Sequence, residues 1–173
     1  MDRERLAKRI AEIALLRGEF TLRSGRKSTF YLDKYLFSTR PEILDELGRM
    51  FAERIPGEAT LLAGAELGGI PLVTAASLAS GLPSVFIRNQ KKDYGTSKQL
   101  EGRIDGDDRV VIVEDVATTG GQVLEAAKVV EAAGARVIGI VATIDRLEGA
   151  RENVEGAGYR FDALFTVRDL GVA

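Results

Sequence analysis

Two unbroken apolar runs constrain this chain more than any other feature. They are Val110-Val111-Ile112-Val113, led by Arg109, and Val137-Ile138-Gly139-Ile140-Val141. A strand that is apolar at successive positions has no solvent face, so it must lie inside a sheet covered on both sides. Between the runs, Gly121 to Ala133 carries Val123, Leu124, Ala127 and Val130 at helical spacing, and Gly134 closes it. Strand, helix and strand in that order predict a parallel pair with a crossover helix. The rhythm starts earlier, with the apolar run Thr60-Leu61-Leu62-Ala63, an Ala-rich helix from Pro71 to Ser80 stopped by Gly81, and the run Val85-Phe86-Ile87. It ends with a last strand over Phe161 to Val167. The predicted fold is therefore α/β, a mostly parallel twisted sheet flanked by helices. Such sheets bind ligands at the carboxyl ends of their strands.

The first third of the chain reads differently. Leu6, Ile10, Ile13 and Ala14 predict a helix from Asp2 to about Leu16, with Asp2 as N-cap and Gly18 as the stop. Phe20-Thr21-Leu22-Arg23 and Ser28-Thr29-Phe30-Tyr31-Leu32 flank Ser24-Gly25-Arg26-Lys27, which predicts a small hairpin. Thr39-Arg40-Pro41-Glu42 has the spacing of a capping box. It predicts a helix whose buried stripe is Leu44, Leu47, Phe51 and Ile55, ended by Pro56-Gly57. The stretch from 89 to 106 is polar, lacks apolar periodicity and is longer than an ordinary connection; loops of that length are usually functional or disordered.

Composition narrows the chemistry. The 173 residues contain no Cys and no His. Thiolate nucleophiles, imidazole acid–base catalysis, Ser-His-Asp triads and His- or Cys-ligated metals are all excluded. What remains is Lys, Arg, Asp, Glu, Tyr, hydroxyls, backbone amides and oxygen-liking cations. Lys plus Arg total 24 and Asp plus Glu total 26, so the net charge is 24 − 26 = −2. A general nucleic-acid or membrane-surface binder would carry a basic excess, so neither partner is expected. No apolar run approaches the ~20 residues of a spanning helix. The start Met1-Asp2-Arg3-Glu4-Arg5 lacks the apolar core of a signal peptide, so a cytoplasmic protein is expected.

The most informative segment is Glu114-Asp115-Val116-Ala117-Thr118-Thr119-Gly120-Gly121. A buried strand runs into two adjacent carboxylates, then into a Thr-Thr-Gly-Gly turn that opens a helix. Clustered backbone N–H groups, two hydroxyls and a helix N-terminus make an anion nest, and glycines let backbone approach a phosphate. Two carboxylates would repel a bare phosphate. They suit sugar hydroxyls, or a hard cation lying between them and phosphate. The segment therefore points to a ribose phosphate with a divalent cation nearby. It lacks the lysine of a Walker A loop, and the chain holds no G-x-G-x-x-G dinucleotide fingerprint.

This segment resembles the phosphoribosyl pyrophosphate (PRPP) signature of the type I phosphoribosyltransferases. Further segments resemble the orotate phosphoribosyltransferases within that group. They are Gly18-Glu19-Phe20-Thr21-Leu22-Arg23-Ser24-Gly25-Arg26-Lys27-Ser28, Gly64-Ala65-Glu66-Leu67-Gly68-Gly69-Ile70-Pro71, Phe86-Ile87-Arg88 through Lys92-Asp93-Tyr94-Gly95, and Asp145-Arg146-Leu147-Glu148-Gly149-Ala150. Their order matches the family's, and they span nearly the whole chain.

The resemblance implies one domain over 1–173, with an N-terminal hood at 1–37 and a mobile catalytic loop at 89–106. It implies Mg²⁺-dependent transfer of the phosphoribosyl group from PRPP to orotate, in pyrimidine biosynthesis. Glu114 and Asp115 would hold the ribose hydroxyls near the developing charge, and Val116, Ala117, Thr118, Thr119, Gly120, Gly121 and Gln122 would bind PRPP around its 5′-phosphate. Lys92 would be the catalytic lysine of the loop and, with Arg88 and Tyr94, would bind PRPP. The 64–71 turn would meet the pyrophosphate through its backbone. Thr118, Arg146, Phe30 and Tyr31 would contact orotate. The cation would be held mainly by PRPP and water, not by protein ligands. A homodimer sharing its catalytic loops is also implied. Asn89 and Tyr94 stand where many members have Lys and His, Arg23 replaces a frequent Lys, and Gly68 takes a place where some have Lys; Lys91 or Arg23 would then take over part of the cationic role.

Three other readings compete: transfer to another base such as a purine, a non-catalytic PRPP-sensing regulator, and a general nucleotide-binding module. The hood and the Arg146 segment favour orotate over a purine. The N-terminal region is too short for a winged helix in addition to the hood, and the slightly acidic net charge argues against a nucleic-acid-binding regulator. A general module would not explain the polar loop or the carboxylate pair.

Lys92→Ala is expected to lower turnover far more than orotate affinity, measured by steady-state kinetics beside equilibrium orotate binding. Equal losses would remove Lys92 from a lid role.

Overall fold

The computed structural model describes residues 1–21, 27–89 and 99–172. Its first helix, α1 (Arg3–Ala14), is capped by Asp2, whose side chain accepts the Arg5 N–H at 2.8 Å. Leu6, Ala7, Ile10 and Ala14 are its buried face. Gly18 is not the stop. The chain becomes extended at Leu15 and forms β1 (Leu15–Thr21), which pairs antiparallel with β2 (Lys27–Leu32). Gly18 falls inside β1, where the pairing register slips between Arg17 and Phe20, so it serves an irregularity in the hairpin.

A short helix that periodicity does not disclose follows, α2 (Lys34–Ser38), capped by Asp33. The Thr39 hydroxyl donates to Tyr35 O at 2.6 Å. Thr39 therefore closes α2 and does not open the next helix as a capping box. That helix, α3 (Pro41–Ala52), has Arg40 at its N-cap without a side-chain hydrogen bond, and Pro41 sets its first turn. It ends before Pro56-Gly57. Its buried stripe is Ile43, Leu47 and Phe51 beside Gly48; Leu44 and Ile55 are only half-buried.

The main sheet contains β3 (Leu61–Ala65), β4 (Ser84–Ile87), β5 (Leu100–Glu101), β6 (Arg109–Ala117), β7 (Arg136–Asp145) and β8 (Phe161–Thr166), in the order β5-β4-β3-β6-β7-β8. All neighbours are parallel except β5, which runs antiparallel to β4. The helices between them are α4 (Gly69–Ser80), α5 (Gly121–Ala132) and α6 (Ala150–Gly156), and a 3-10 turn at Val167–Leu170 ends the last strand. Inside the stretch expected to be a loop, Leu100–Glu101 pairs with Phe86–Ile87 and Ile104 packs on the core. Two paired residues are too few for a periodicity signal.

One face of the sheet packs Leu62, Val111, Val113, Val141 and Phe165 with α1, α3 and α4. The other packs Ala63, Val110, Ile112 and Ile140 with Val123, Ala127 and Val130 of α5 and Val154 of α6. Ala126 is buried on α5 where Leu124 was expected. Arg3 joins the two ends of the chain, donating to Leu164 O and pairing with Asp169 at 2.9 Å.

The order of the strands places the site. From β3 the chain steps outward to β4, and from β6 it steps the other way to β7 and β8. The carboxyl ends of β3 and β6 therefore flank a topological switch point. The backbones approach closely there. A Cβ on Gly64 would stand 2.6 Å from Val73 Cγ1 and 2.7 Å from Gly69 O. Gly64→Ala should overpack this junction and cost about 1–3 kcal/mol, lowering the melting temperature by about 2–4 °C per kcal/mol in a thermal melt.

Candidate active site

The two carboxylates do not lie beyond the end of β6. The strand continues past them, because Val116 and Ala117 still pair with Ile144 and Asp145 of β7. Both are buried, Glu114 at 5% exposure and Asp115 at 4%. Asp115 is enclosed on three sides. Lys34 Nζ lies 2.6 Å from its Oδ2, the Val116 N–H donates to its Oδ1, and the backbone of Gly68 closes the third. A Cβ at position 68 would stand 1.7 Å from Oδ2. No side chain at 68 is compatible with this placement of Asp115, which accounts for glycine there.

Burial dominates the titration of Glu114. It raises the carboxyl from its usual 4.5 to about 8; the negative charge of Asp115 adds to the rise, and Lys34 opposes it. Lys34 itself is pulled down by burial, but its ion pair and hydrogen bond with Asp115 outweigh that, and the ammonium titrates above its ordinary value. Two adjacent carboxylates are thus buried together, and the ion pair with Lys34 reaches Asp115.

Beyond the carboxylates the chain makes its Thr-Thr-Gly-Gly turn. Gly120 has φ +81°, and a Cβ there would lie 2.9 Å from Val154 Cγ2 and 3.3 Å from Ala150 O, so α6 buttresses the turn. Asn153 Nδ2 donates to Thr119 O at 2.9 Å. No side chain caps the N-terminus of α5 at Gly120. Its first amides are thus left for an anion, beside the exposed Thr119, Gly121 and Gln122 and the half-buried Thr118. Val116 is half-buried and Ala117 buried where β6 enters the turn.

The hood also meets the opposite wall through Phe30. The Arg146 guanidinium lies 5.0 Å from the centre of the Phe30 ring, and its Nε donates to Glu148 at 2.8 Å. The Arg146 N–H donates to Ala117 O, which fixes this loop against the phosphate turn. Tyr31 takes a different position. It is exposed, and its ring contacts Phe20 at 5.7 Å. Successive strand residues point to opposite faces, so the expected aromatic pair is divided.

Arg88 sits at the end of β4, 3.7 Å from Glu101, with its buried Nε lacking a hydrogen-bond partner among the described residues. Asn89 N–H donates to Glu66 Oε1 at 2.8 Å, tying this strand end to the turn after β3, where the Glu66–Leu67 peptide is cis. A groove of about 1300 Å³ brings Arg88, Asn89 and Gln99 onto the same wall system as Gln122. It does not include Glu114, Asp115 or Arg146. Arg23, Lys91, Lys92, Tyr94 and Lys98 lie outside the described residues. Sequence reasoning missed Lys34: nothing in its own stretch signals a partner on β6, and the Tyr35–Leu36 neighbours mask it as a surface lysine.

An acidic pair for sugar hydroxyls, next to an uncapped helix start for a phosphate, at the switch point of a parallel sheet, makes this a sugar-phosphate transferase of the phosphoribosyltransferase class. A family model described as a phosphoribosyl transferase domain matches residues 38–159. The orotate phosphoribosyltransferase of Methanocaldococcus jannaschii is 42% identical over 172 residues, covering 98% of both chains. A crystal structure of Mycobacterium tuberculosis orotate phosphoribosyltransferase with Fe(III) dicitrate superposes with a TM-score of 0.90 at 30% identity, covering 99% of this chain and 100% of that one. The same enzyme in complex with PRPP gives a TM-score of 0.84 over the same shares at 30% identity. The chain belongs to the orotate phosphoribosyltransferase family.

The raised Glu114 carboxyl has a consequence for stability. Between pH 4.5 and about 8 the folded chain holds a proton that the unfolded chain has released, so this group lowers stability as pH rises through that window. Glu114→Gln should therefore raise the melting temperature at pH 8 relative to wild type, by about 2–4 °C for each kcal/mol gained. It should weaken PRPP binding in the same preparation, measured by calorimetry.

Proposed function

We propose that this enzyme transfers the 5-phosphoribosyl group from PRPP to orotate, forming orotidine 5′-monophosphate and pyrophosphate in pyrimidine biosynthesis. The observation that carries the reading is the convergence of the Glu114–Asp115 pair, the 117–122 turn and the Arg146–Phe30 contact at one end of the sheet. A nitrogen of orotate bonds to the anomeric carbon as the bond to the pyrophosphate oxygen breaks, and the proton of that nitrogen is released to the pyrophosphate or to water. The transition state resembles an oxocarbenium ion. Little proton transfer is required, which suits a chain without His. Catalysis rests on positioning and on electrostatics.

In this reading Asp115 accepts from a ribose hydroxyl and places its charge close to the developing cation. Glu114 meets the neighbouring hydroxyl as a largely neutral carboxyl at pH 7. The amides of Ala117 to Gln122 take the 5′-phosphate. Arg146, oriented by Glu148 and Phe30, presents a planar fork to the orotate carboxylate, with Thr118 beside it. Tyr31 contributes to the base side through the hood it shares with Phe20, not through the Arg146 contact. Arg88, Lys92 and Tyr94 serve the pyrophosphate, and closure of the loop that carries Lys92 excludes water.

We propose Mg²⁺ as the cation. The described residues contain no group of three or more His, Cys, Asp or Glu arranged to hold a metal. One carboxylate of the acidic pair is engaged by Lys34, so the ion would be held mainly through PRPP and water. Its chemistry would be to neutralise charge on the leaving pyrophosphate. The protein is proposed to act in the cytoplasm as a homodimer; among the described residues no helix is long and apolar enough to cross a membrane. Leu67 and Leu78 support the dimer, because they stand 63% and 84% exposed along the outer side of α4 and its entry turn.

Loss of orotate absorbance should require enzyme, PRPP and Mg²⁺ together, with adenine, hypoxanthine and uracil left unconsumed. Consumption of a purine instead would overturn the choice of base. Arg146→Ala should raise KM for orotate by about tenfold or more and leave PRPP affinity within about twofold. A collapse of PRPP affinity in a folded variant would remove Arg146 from the base side.

A further inference from the structure

Lys34 joins the hood to the acidic pair on β6 through a direct ion pair. It opens α2, the helix directly after the hood strand β2, and Asp33 fixes that start by accepting the Tyr35 N–H at 3.1 Å. Its ammonium reaches Asp115 Oδ2 at 2.6 Å, with the lysine side chain 29% exposed and the aspartate 6%. It also lies 5.6 Å from the Tyr35 ring centre, so its aliphatic stem is steered along the hood. The remaining sides of the carboxylate are taken by the Val116 N–H and the Gly68 backbone. The cation beside the ribose-facing carboxylate therefore comes from the hood.

We propose that Lys34 is a positioning residue of the ribose site: it holds the negative charge of the acidic pair on Asp115 and ties that charge to the hood. The argument rests on the ribose-binding role of Asp115 given under the proposed function. Two adjacent carboxylates buried together repel each other, and a nearby ammonium decides which one stays ionised. The ion pair reaches only Asp115, so Glu114 is the member left neutral. A singly charged pair also repels the polyanionic substrate less than a doubly charged one. Because the ammonium belongs to the hood, any movement of α2 alters the charge at the ribose site. The hood that meets Arg146 and the carboxylates that meet ribose are thereby linked through one side chain. The groups facing Lys34 are Asp115, Glu114 and Tyr35.

The test compares wild type, Lys34→Gln, Lys34→Arg, Asp115→Asn and the Lys34→Gln/Asp115→Asn double variant. PRPP affinity is read by calorimetry, and kcat/KM for PRPP is read across pH. Lys34→Gln should weaken PRPP binding by about tenfold to a hundredfold and change KM for orotate by less than about twofold. It should move the acid limb of the profile to higher pH, since a carboxylate without its cation ionises later. Lys34→Arg should stay within about threefold of wild type. In the Asp115→Asn background, Lys34→Gln should cost less than about twofold more, because a residue acting through Asp115 has nothing left to act on.

Wild-type PRPP affinity in Lys34→Gln, an unmoved acid limb, or an undiminished cost in the Asp115→Asn background would each overturn the proposal. Should Lys34→Gln lose its melting transition, Lys34→Arg carries the test, and a PRPP affinity lost beyond about threefold in that folded variant overturns it. Wild type that binds PRPP but leaves orotate unconsumed would sink the proposed reaction alone. The Lys34 comparison would then be read on PRPP affinity.

Discussion

A buried charge that must be neutralised organises this molecule. Asp115 is almost without solvent, and an unpaired carboxylate in that position would cost several kcal/mol. Its compensation comes from Lys34 at the start of α2, distant in sequence, and from the Val116 amide next to it, while Gly68 in the turn after β3 leaves room for the carboxylate. Each of these segments is part of one wall of the site. Satisfying one carboxylate therefore also fixes where α2, the turn after β3 and the end of β6 stand relative to one another.

Close backbone packing makes that arrangement narrow. Gly64 and Gly69 bring β3 and its turn against α4 and β6, and Gly120 brings the phosphate turn against α6. Space equivalent to a single methyl group is missing at Gly64, Gly68 and Gly120. The site is thus built on elements that cannot relax into neighbouring space, which suits a reaction driven by positioning. Arg146 adds the last constraint. It is held by Glu148 on one side and faces Phe30 on the other, so the base side and the hood share a contact while the phosphate turn is pinned to the same loop through Ala117 O.

Long elements with strong patterns were legible. The Val/Ile runs located β6 and β7, and Gly81 marked the end of α4 with a left-handed φ of +76°. The acidic pair and the glycine turn after it announced the phosphate and sugar chemistry. Short elements were not legible, because two paired residues in β5 or five in α2 are too few to show a period. Thr39 shows a second kind of failure. Its hydroxyl had two helices to choose between, and the end of α2 took it. The division of Phe30 from Tyr31 is a third, since residue type reveals an aromatic pair but only strand geometry says which member faces the arginine.

The sequence by itself determined the fold class, the reaction class and the absence of thiol and imidazole chemistry. The first and last follow from residue counts and local periodicity, and the reaction class from the resemblance of five motifs in the family's order, all of which can be read along the chain. The tertiary structure alone decided that Lys34 accompanies Asp115, that a side chain at 68 would collide with Asp115 where it stands, and that burial raises the Glu114 carboxyl. Those outcomes depend on burial and on charges brought together from separate segments. Electrostatic energies in a low-dielectric interior are set by distance in space, which the order of residues does not contain.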